Sequence, residues 1–152
     1  MKIKYLLGIA ALAVSLSATA VYSQATGTAA EAKAMLEKGI AALKANKANA
    51  IKQFNTNPGP FRDRDLYVFC YNTSDGKFTA HPNDKLMGTD IRALKDPEGT
   101  PLGENIFKGA KEGTISTTDY KFPKPGTSGP PVAKQSFITA VGDQGCGVGY
   151  YK

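Results

Sequence analysis

A chain of 152 residues has room for one domain with one core. Its 19 basic and 13 acidic side chains give a net charge of +6, but the cations are scattered and not interleaved with aromatics, which argues against a nucleic-acid partner. One histidine and two cysteines leave little material for a metal site or a C-x-x-C redox motif, and neither a metal nor a cofactor is expected.

The N-terminus has the layout of an export signal. Lys2 and Lys4 form a basic start, Leu6 to Leu16 an apolar stretch, and Ala18-Thr19-Ala20 an A-x-A cleavage site, with Val21-Tyr22-Ser23 as a second candidate. Residues 1–20, or up to 23, therefore read as a signal peptide. The stretch is too short for a membrane-spanning helix, and no other apolar run approaches the ~20 residues a span needs. Cleavage after Ala20 would remove two lysines and no acid, lowering the basic count from 19 to 17 and leaving a net +4. The expected location is periplasmic or secreted, with no stable membrane span. In that compartment Cys70 and Cys146 read first as a disulfide.

Thr28 and Glu31 have capping-box spacing. Leu36, Ile40, Leu43, Ala50, Ile51 and Phe54 then recur at three and four residues, which predicts an amphipathic helix ending at Asn55-Thr56-Asn57-Pro58-Gly59-Pro60. Its apolar face is too alanine-rich for strong membrane insertion, so packing on a sheet is the better reading. Arg62, Asp63, Arg64 and Asp65 alternate in sign, as a solvated, self-paired edge does.

Leu66 to Tyr71 is rich in β-formers, Asn72 to Gly76 is turn chemistry, and Lys77 to Ala80 returns as a second strand that Pro82 stops. Two short helices follow, Thr89 to Leu94 and Leu102 to Lys111, separated by an Asp96–Pro101 loop. Strands are expected at Ser116–Phe122, Lys134–Val141 and Cys146–Tyr151. The first two are joined by the Pro/Gly turn 123–131, the last two by a turn over Gly142–Gly145. The predicted order is α-β-β-α-α-β-β-β.

This ordered set resembles the single Cache domain family of extracytoplasmic small-molecule sensors over 28–152. The resemblance rests on Ala34–Ile40, Ala50-Ile51 and Phe54-Asn55 in the helix. It continues through Asp65–Phe69 with Asp75-Gly76 in the hairpin, and Ala80-His81-Pro82-Asn83 with Leu86 and Gly88. The loops Asp96–Pro101 and Phe122–Gly126 and the closing Gly147–Tyr151 complete it. It implies an α+β, PAS-like fold: a five-stranded antiparallel sheet, a long N-terminal helix on one face, and short helices with loops over a ligand on the other. Small carboxylates or amino acids are the implied ligands. The implied strand order sets the first strand beside the last and brings Cys70 close to Cys146. Family members usually feed a membrane receptor or kinase, whereas here the chain ends at Lys152, directly after the last strand. A stand-alone soluble binding domain is therefore expected.

Strand alternation places Tyr67, Phe69 and Tyr71 on one face and Leu66, Val68 and Cys70 on the other. With the disulfide formed, the aromatic face adjoins Gly147, Gly149 and Tyr151. Two readings stay open: a pocket floor of rings, or rings packed over glycines in an ordinary core. His81 reads either as a hydrogen-bonding residue at the pocket edge or as a structural histidine at the strand end. Lys124 and Lys134 flank the Pro/Gly turn, and either can fix an anion as a point charge or stay solvated. No nucleophile, base and orienting group come together, so no enzyme activity is expected.

The expected ligand-binding set is Tyr67, Phe69, Tyr71, His81, Lys124 and Lys134, acting on a small, anionic metabolite without transforming it. Such a domain would scavenge its ligand or present it to a membrane receptor. The competing reading is a structural or interaction protein whose pocket is filled by its own side chains.

Overall fold

A computed structural model describes residues 26–152. The expected signal segment 1–20 lies outside the described residues. Among those described, no helix is long and apolar enough to cross a membrane.

Helix α1 (Ala29–Ala45) begins where the capping box predicts: the Thr28 hydroxyl accepts from the Glu31 amide, and the Glu31 carboxylate accepts from the Thr28 amide. The single long helix expected to Asn55 is in fact two. Asn46 leaves helical geometry (φ −162°, ψ 99°) and ends α1. Its side chain accepts from the Asn49 amide and so starts α2 (Lys47–Asn55). Asparagine is among the best N-cap residues, so a break at Asn46 satisfies backbone donors that a continuous helix would not need to expose. The kink wraps both helices around one face of the sheet.

The sheet contains β2 (Leu66–Asn72), β3 (Phe78–Ala80), β4 (Ser116–Phe122), β5 (Val132–Val141) and β6 (Gln144–Tyr151), all antiparallel in the order β3-β2-β6-β5-β4. A two-residue strand, β1 (Arg62–Asp63), also pairs with β2 and was not anticipated. The first hairpin closes through Asn72 and Lys77, with Gly76 at φ +76°, where a Cβ would run into the Asp90 carboxylate. Beyond β3 the chain forms single 3-10 turns at Asp84–Leu86 and Ile91–Ala93, then α3 (Leu102–Gly109).

Strands β2 and β6 are neighbours, so Cys70 stands directly opposite Cys146. The two are disulfide-bonded across a sequence separation of 76 residues. On that face Leu66, Val68, Cys146 and Val148 pack under Ala32, Leu36, Leu43, Ala50 and Phe54, all at most 6% exposed. The opposite face carries Phe69, Tyr71 and Ile138 beneath Ile91, Leu102 and Ile106. The architecture is the PAS-like one, with helices backing one face and short turns roofing the other.

Candidate functional site

Strand alternation sends Tyr67, Phe69 and Tyr71 to the roofed face of β2, next to Gly145, Gly147 and Gly149 of β6. The two readings of those rings divide along the strand. Tyr71 lies against Gly145 and Phe69 against Gly147, where an added Cβ would meet Phe69 Cζ at 2.5 Å and the Phe137 carbonyl at 2.8 Å. That end of the row is packed core. Tyr71 is closed off further by Phe107, ring centroids 5.6 Å apart, and its hydroxyl donates to the Ile106 carbonyl.

Above Gly149 polar groups converge instead. A Cβ there would meet Ser136 Oγ at 2.8 Å, Tyr120 Oη at 2.9 Å and Lys134 Cε at 3.0 Å. Register explains the convergence. Lys134 pairs with Tyr120 on one side and Tyr151 on the other, and Ser136 pairs with Gly149. The Tyr120 and Ser136 hydroxyls share a 3.0 Å hydrogen bond.

A cavity of about 290 Å³ opens at this end. Tyr67, Phe69, His81, Tyr120 and Lys134 line its sheet side. Leu86, Ile91, Leu94, Leu102 and Ile106 form the roof, and Phe122 and Pro125 stand among the lining residues contributed by the end of β4 and the Pro/Gly turn. The volume suits a small metabolite at the lower end of ligand pockets. The roof is held close by Gly103, whose amide donates to the Leu94 carbonyl and whose Cα leaves no space for a side chain beside Ile91.

Lys134 is the most unusual residue of the cavity. It is 3% exposed, yet no carboxylate among the described residues lies within ion-pair distance of it. Its ammonium rests 4.5 Å from the Tyr151 ring centroid and 5.4 Å from that of Tyr67. Cation–π contact compensates part of the lost hydration. Burial still pushes its pKa down to about 8, against an opposing pull from the charge of Asp65. Burial likewise raises Tyr67 to about 12 and moves Tyr120 upward, so both phenols stay protonated donors.

His81 is edge-on to Tyr67 and Phe78, at 5.4 and 5.3 Å. Its Nδ1 accepts from the Asn83 amide, so the neutral ring carries its proton on Nε2. Burial lowers its pKa to about 4. The Nδ1 contact fixes the turn after β3, as a structural histidine at the strand end would, and the ring lines the cavity.

Of the six residues expected at the site, the structure brings four into the lining: Tyr67, Phe69, His81 and Lys134. Tyr71 is buried beside it under α3, outside the lining. Lys124 is exposed, its Nζ 5.8 Å from the Tyr151 ring centroid, and is not among the residues lining the cavity. Sequence reasoning missed Tyr120, which lines the cavity, and Ser136, fully buried beneath it and outside the lining. Their period-2 placement in β4 and β5 was visible, but their meeting over Gly149 depends on strand register. It also missed Asp65, which is 8% exposed. One carboxylate oxygen of Asp65 accepts from Gly27 and the other has no partner among the described residues. Arg64, expected to be self-paired, joins Asp63 and Glu31, both at 2.7 Å. Among the described residues no group of three or more His, Cys, Asp or Glu is placed to hold a metal ion.

A helix-backed antiparallel sheet with an aromatic-floored cavity under short turns defines a sensor-type, PAS-like ligand-binding module. The family model for the single Cache domain 2 matches residues 3–149, and the chain belongs to that family. Over 77 residues it is 38% identical to the methyl-accepting chemotaxis protein McpP of Pseudomonas putida, a match covering 50% of this chain and 14% of that protein. The fold is similar to that of the periplasmic sensor domain of a chemotaxis protein (25% identity, TM-score 0.57, 80% of this chain and 88% of that one). It is also similar to a Cache chemosensory domain solved to give the structural basis for carboxylic acid recognition (25% identity, TM-score 0.55, 80% and 86%). A methyl-accepting chemotaxis protein from Vibrio parahaemolyticus shares the fold at 22% identity and a TM-score of 0.60, over 80% of this chain and 86% of that one.

Proposed function

We propose that this protein is an extracytoplasmic sensor or binding domain that takes up a small monocarboxylate with a short apolar body, without transforming it. The observation that carries this reading is Lys134: a buried ammonium in a cavity, with no carboxylate of the described residues to neutralise it. A bound anion supplies the missing charge. The Tyr120 hydroxyl, which lines the cavity beside the lysine stem and is held by Ser136 beneath it, is suited to donate to a carboxylate. His81 offers Nε2–H on the same wall.

The rest of the lining sets the body of the ligand. Phe69, Phe78, Ile91, Leu94 and Ile106 are apolar, Asn83 and the exposed Lys95 are the polar additions, and no aspartate or glutamate among the described residues lines the cavity. A free amino acid would bring an ammonium with no carboxylate among the described lining residues to pair with, and a second carboxylate would meet mostly apolar walls, with the exposed Lys95 as the other cation of the lining. Both are disfavoured by desolvation. Export of the mature domain through the segment 1–20 and delivery of the ligand signal to a membrane receptor belong to the same proposal. The carboxylic acid recognition described for a structural neighbour is consistent with it.

A thermal-shift panel tests the reading. Propionate, butyrate and benzoate should raise the melting temperature at neutral pH, with about 2.7 kcal/mol of added stability at 100 times the dissociation constant. Alanine, succinate and butylamine should do so far less. If the whole panel leaves the melting temperature unchanged, the competing reading, an interaction scaffold with no small ligand, takes its place.

A further inference from the structure

The environment that suits Lys134 to an anion also suits it to a second chemistry. Its ammonium has no hydrogen-bonded carboxylate among the described residues to lock it in the charged form, it is 97% withdrawn from solvent, and it borders a cavity large enough for a small carbonyl compound. We propose that Lys134 captures small aldehydes and 2-oxo acids as a reversible imine, making the pocket a covalent as well as an ionic binding site. This rests on the ligand pocket argued above, but not on the preference for simple carboxylates.

The step balances without any further reagent. The free amine of Lys134 attacks the carbonyl carbon, forming a C–N bond while the carbonyl π pair moves to oxygen, which takes up a proton. The nitrogen loses a proton to give a neutral carbinolamine. Protonation of that hydroxyl lets the C–O bond break, water leaves, and the nitrogen lone pair closes the C=N bond. Two proton carriers line the same cavity: neutral His81 with its proton on Nε2, and the phenol of Tyr120. With its pKa at about 8, about one Lys134 side chain in ten is free amine at pH 7, on the order of a hundredfold more than for an ordinary lysine. Exposed lysines such as Lys33, Lys38 and Lys85 are solvated and lack this setting. A 2-oxo acid would leave its carboxylate within the same cavity, which the Tyr120 hydroxyl lines.

Glyoxylate, the smallest compound with both an aldehyde and a carboxylate, is the probe. The folded protein is incubated with glyoxylate and cyanoborohydride at pH 7, which reduces an imine to a stable carboxymethyl amine, and sites are read by peptide mass spectrometry. Lys134 should be labelled on the order of tenfold ahead of each exposed lysine. Excess propionate should protect it, and Lys134→Arg should abolish that peptide's label. Labelling spread evenly over surface lysines, or absent from Lys134, overturns the inference. If propionate still raises the melting temperature in that case, the anion pocket stands and only the covalent capture fails. If Lys134 is labelled selectively while no monocarboxylate shifts melting, the capture stands and the carboxylate reading fails.

Discussion

The two faces of one sheet are built from alternate residues of the same strands, yet they do different things. Leu66, Val68, Cys70, Cys146 and Val148 look toward α1 and α2 and are sealed by two helices and a disulfide. Tyr67, Phe69, Gly149, Ser136 and Lys134 look toward single 3-10 turns and the eight-residue α3, which cover the face without filling it. Continuous helices present a wide apolar stripe that closes on a sheet, and short turns cannot. The helix-backed face is closed, and the other holds a buried cation with aromatic neighbours and no carboxylate partner among the described residues.

The largest effect that would test this division is on the sealed face. Replacing both cysteines by serine removes a cross-link that the chain-entropy model values at about 4.5 kcal/mol for a loop of 76 residues, and engineered cases often fall short of that value. Denaturant unfolding should show a loss of several kcal/mol. A loss below about 1 kcal/mol would mean that the helices alone secure β2 and β6. Phe54→Ala, at a side chain 1% exposed, should cost about 3–5 kcal/mol in the same assay.

Lys134→Met should act in the opposite direction. A lysine whose pKa falls from 10.5 to about 8 on folding carries a penalty of at most about 3 kcal/mol for being charged at pH 7. An apolar chain of similar length should therefore raise the melting temperature while weakening anion binding. A destabilised variant would show that the ammonium is held more favourably than its two aromatic contacts imply.

An effect of similar size to that at Lys134 is expected in the pH dependence. His81 has its pKa lowered to about 4 when folded, against 6.5 when unfolded. Between those values the unfolded chain binds more protons, so stability should fall as pH drops from about 6.5 to 4. His81→Asn should flatten that part of the profile. An unchanged slope would assign the acid sensitivity to carboxylates elsewhere.

Much of the helix-backed face was legible in the sequence, and less of the cavity. Alternation alone separates Tyr67-Phe69-Tyr71 from Leu66-Val68-Cys70, and helical spacing marks Leu36, Leu43 and Phe54, because these patterns are local. The break at Asn46 is also local, since asparagine is a strong N-cap residue, but the apolar spacing runs on across it and conceals the break. The cavity is not local. Lys134, Tyr120 and Ser136 come from two strands joined by a nine-residue Pro/Gly turn, and only the register Tyr120–Lys134 and Ser136–Gly149 brings them together. For the same reason Lys124 and Lys134 look equivalent in sequence, one at the start of the Pro/Gly turn and the other just beyond its end. One residue is in the strand and faces inward, the other is in the turn and faces water. Tyr71 shares a face with Tyr67, but α3 closes over it, and no strand pattern predicts where a later helix will lie.

The most direct test of the account is the calorimetric affinity of propionate for the wild-type protein and for Lys134→Met at pH 7. The account predicts measurable binding to the wild type and a loss of about tenfold to a hundredfold in the variant, the usual worth of a hydrogen bond to a charged group. Wild-type affinity should also decline about tenfold per pH unit above pH 8, as the ammonium loses its proton. Equal affinity in the two proteins, with no decline above pH 8, would contradict the claim that Lys134 is the anion-binding centre of this domain.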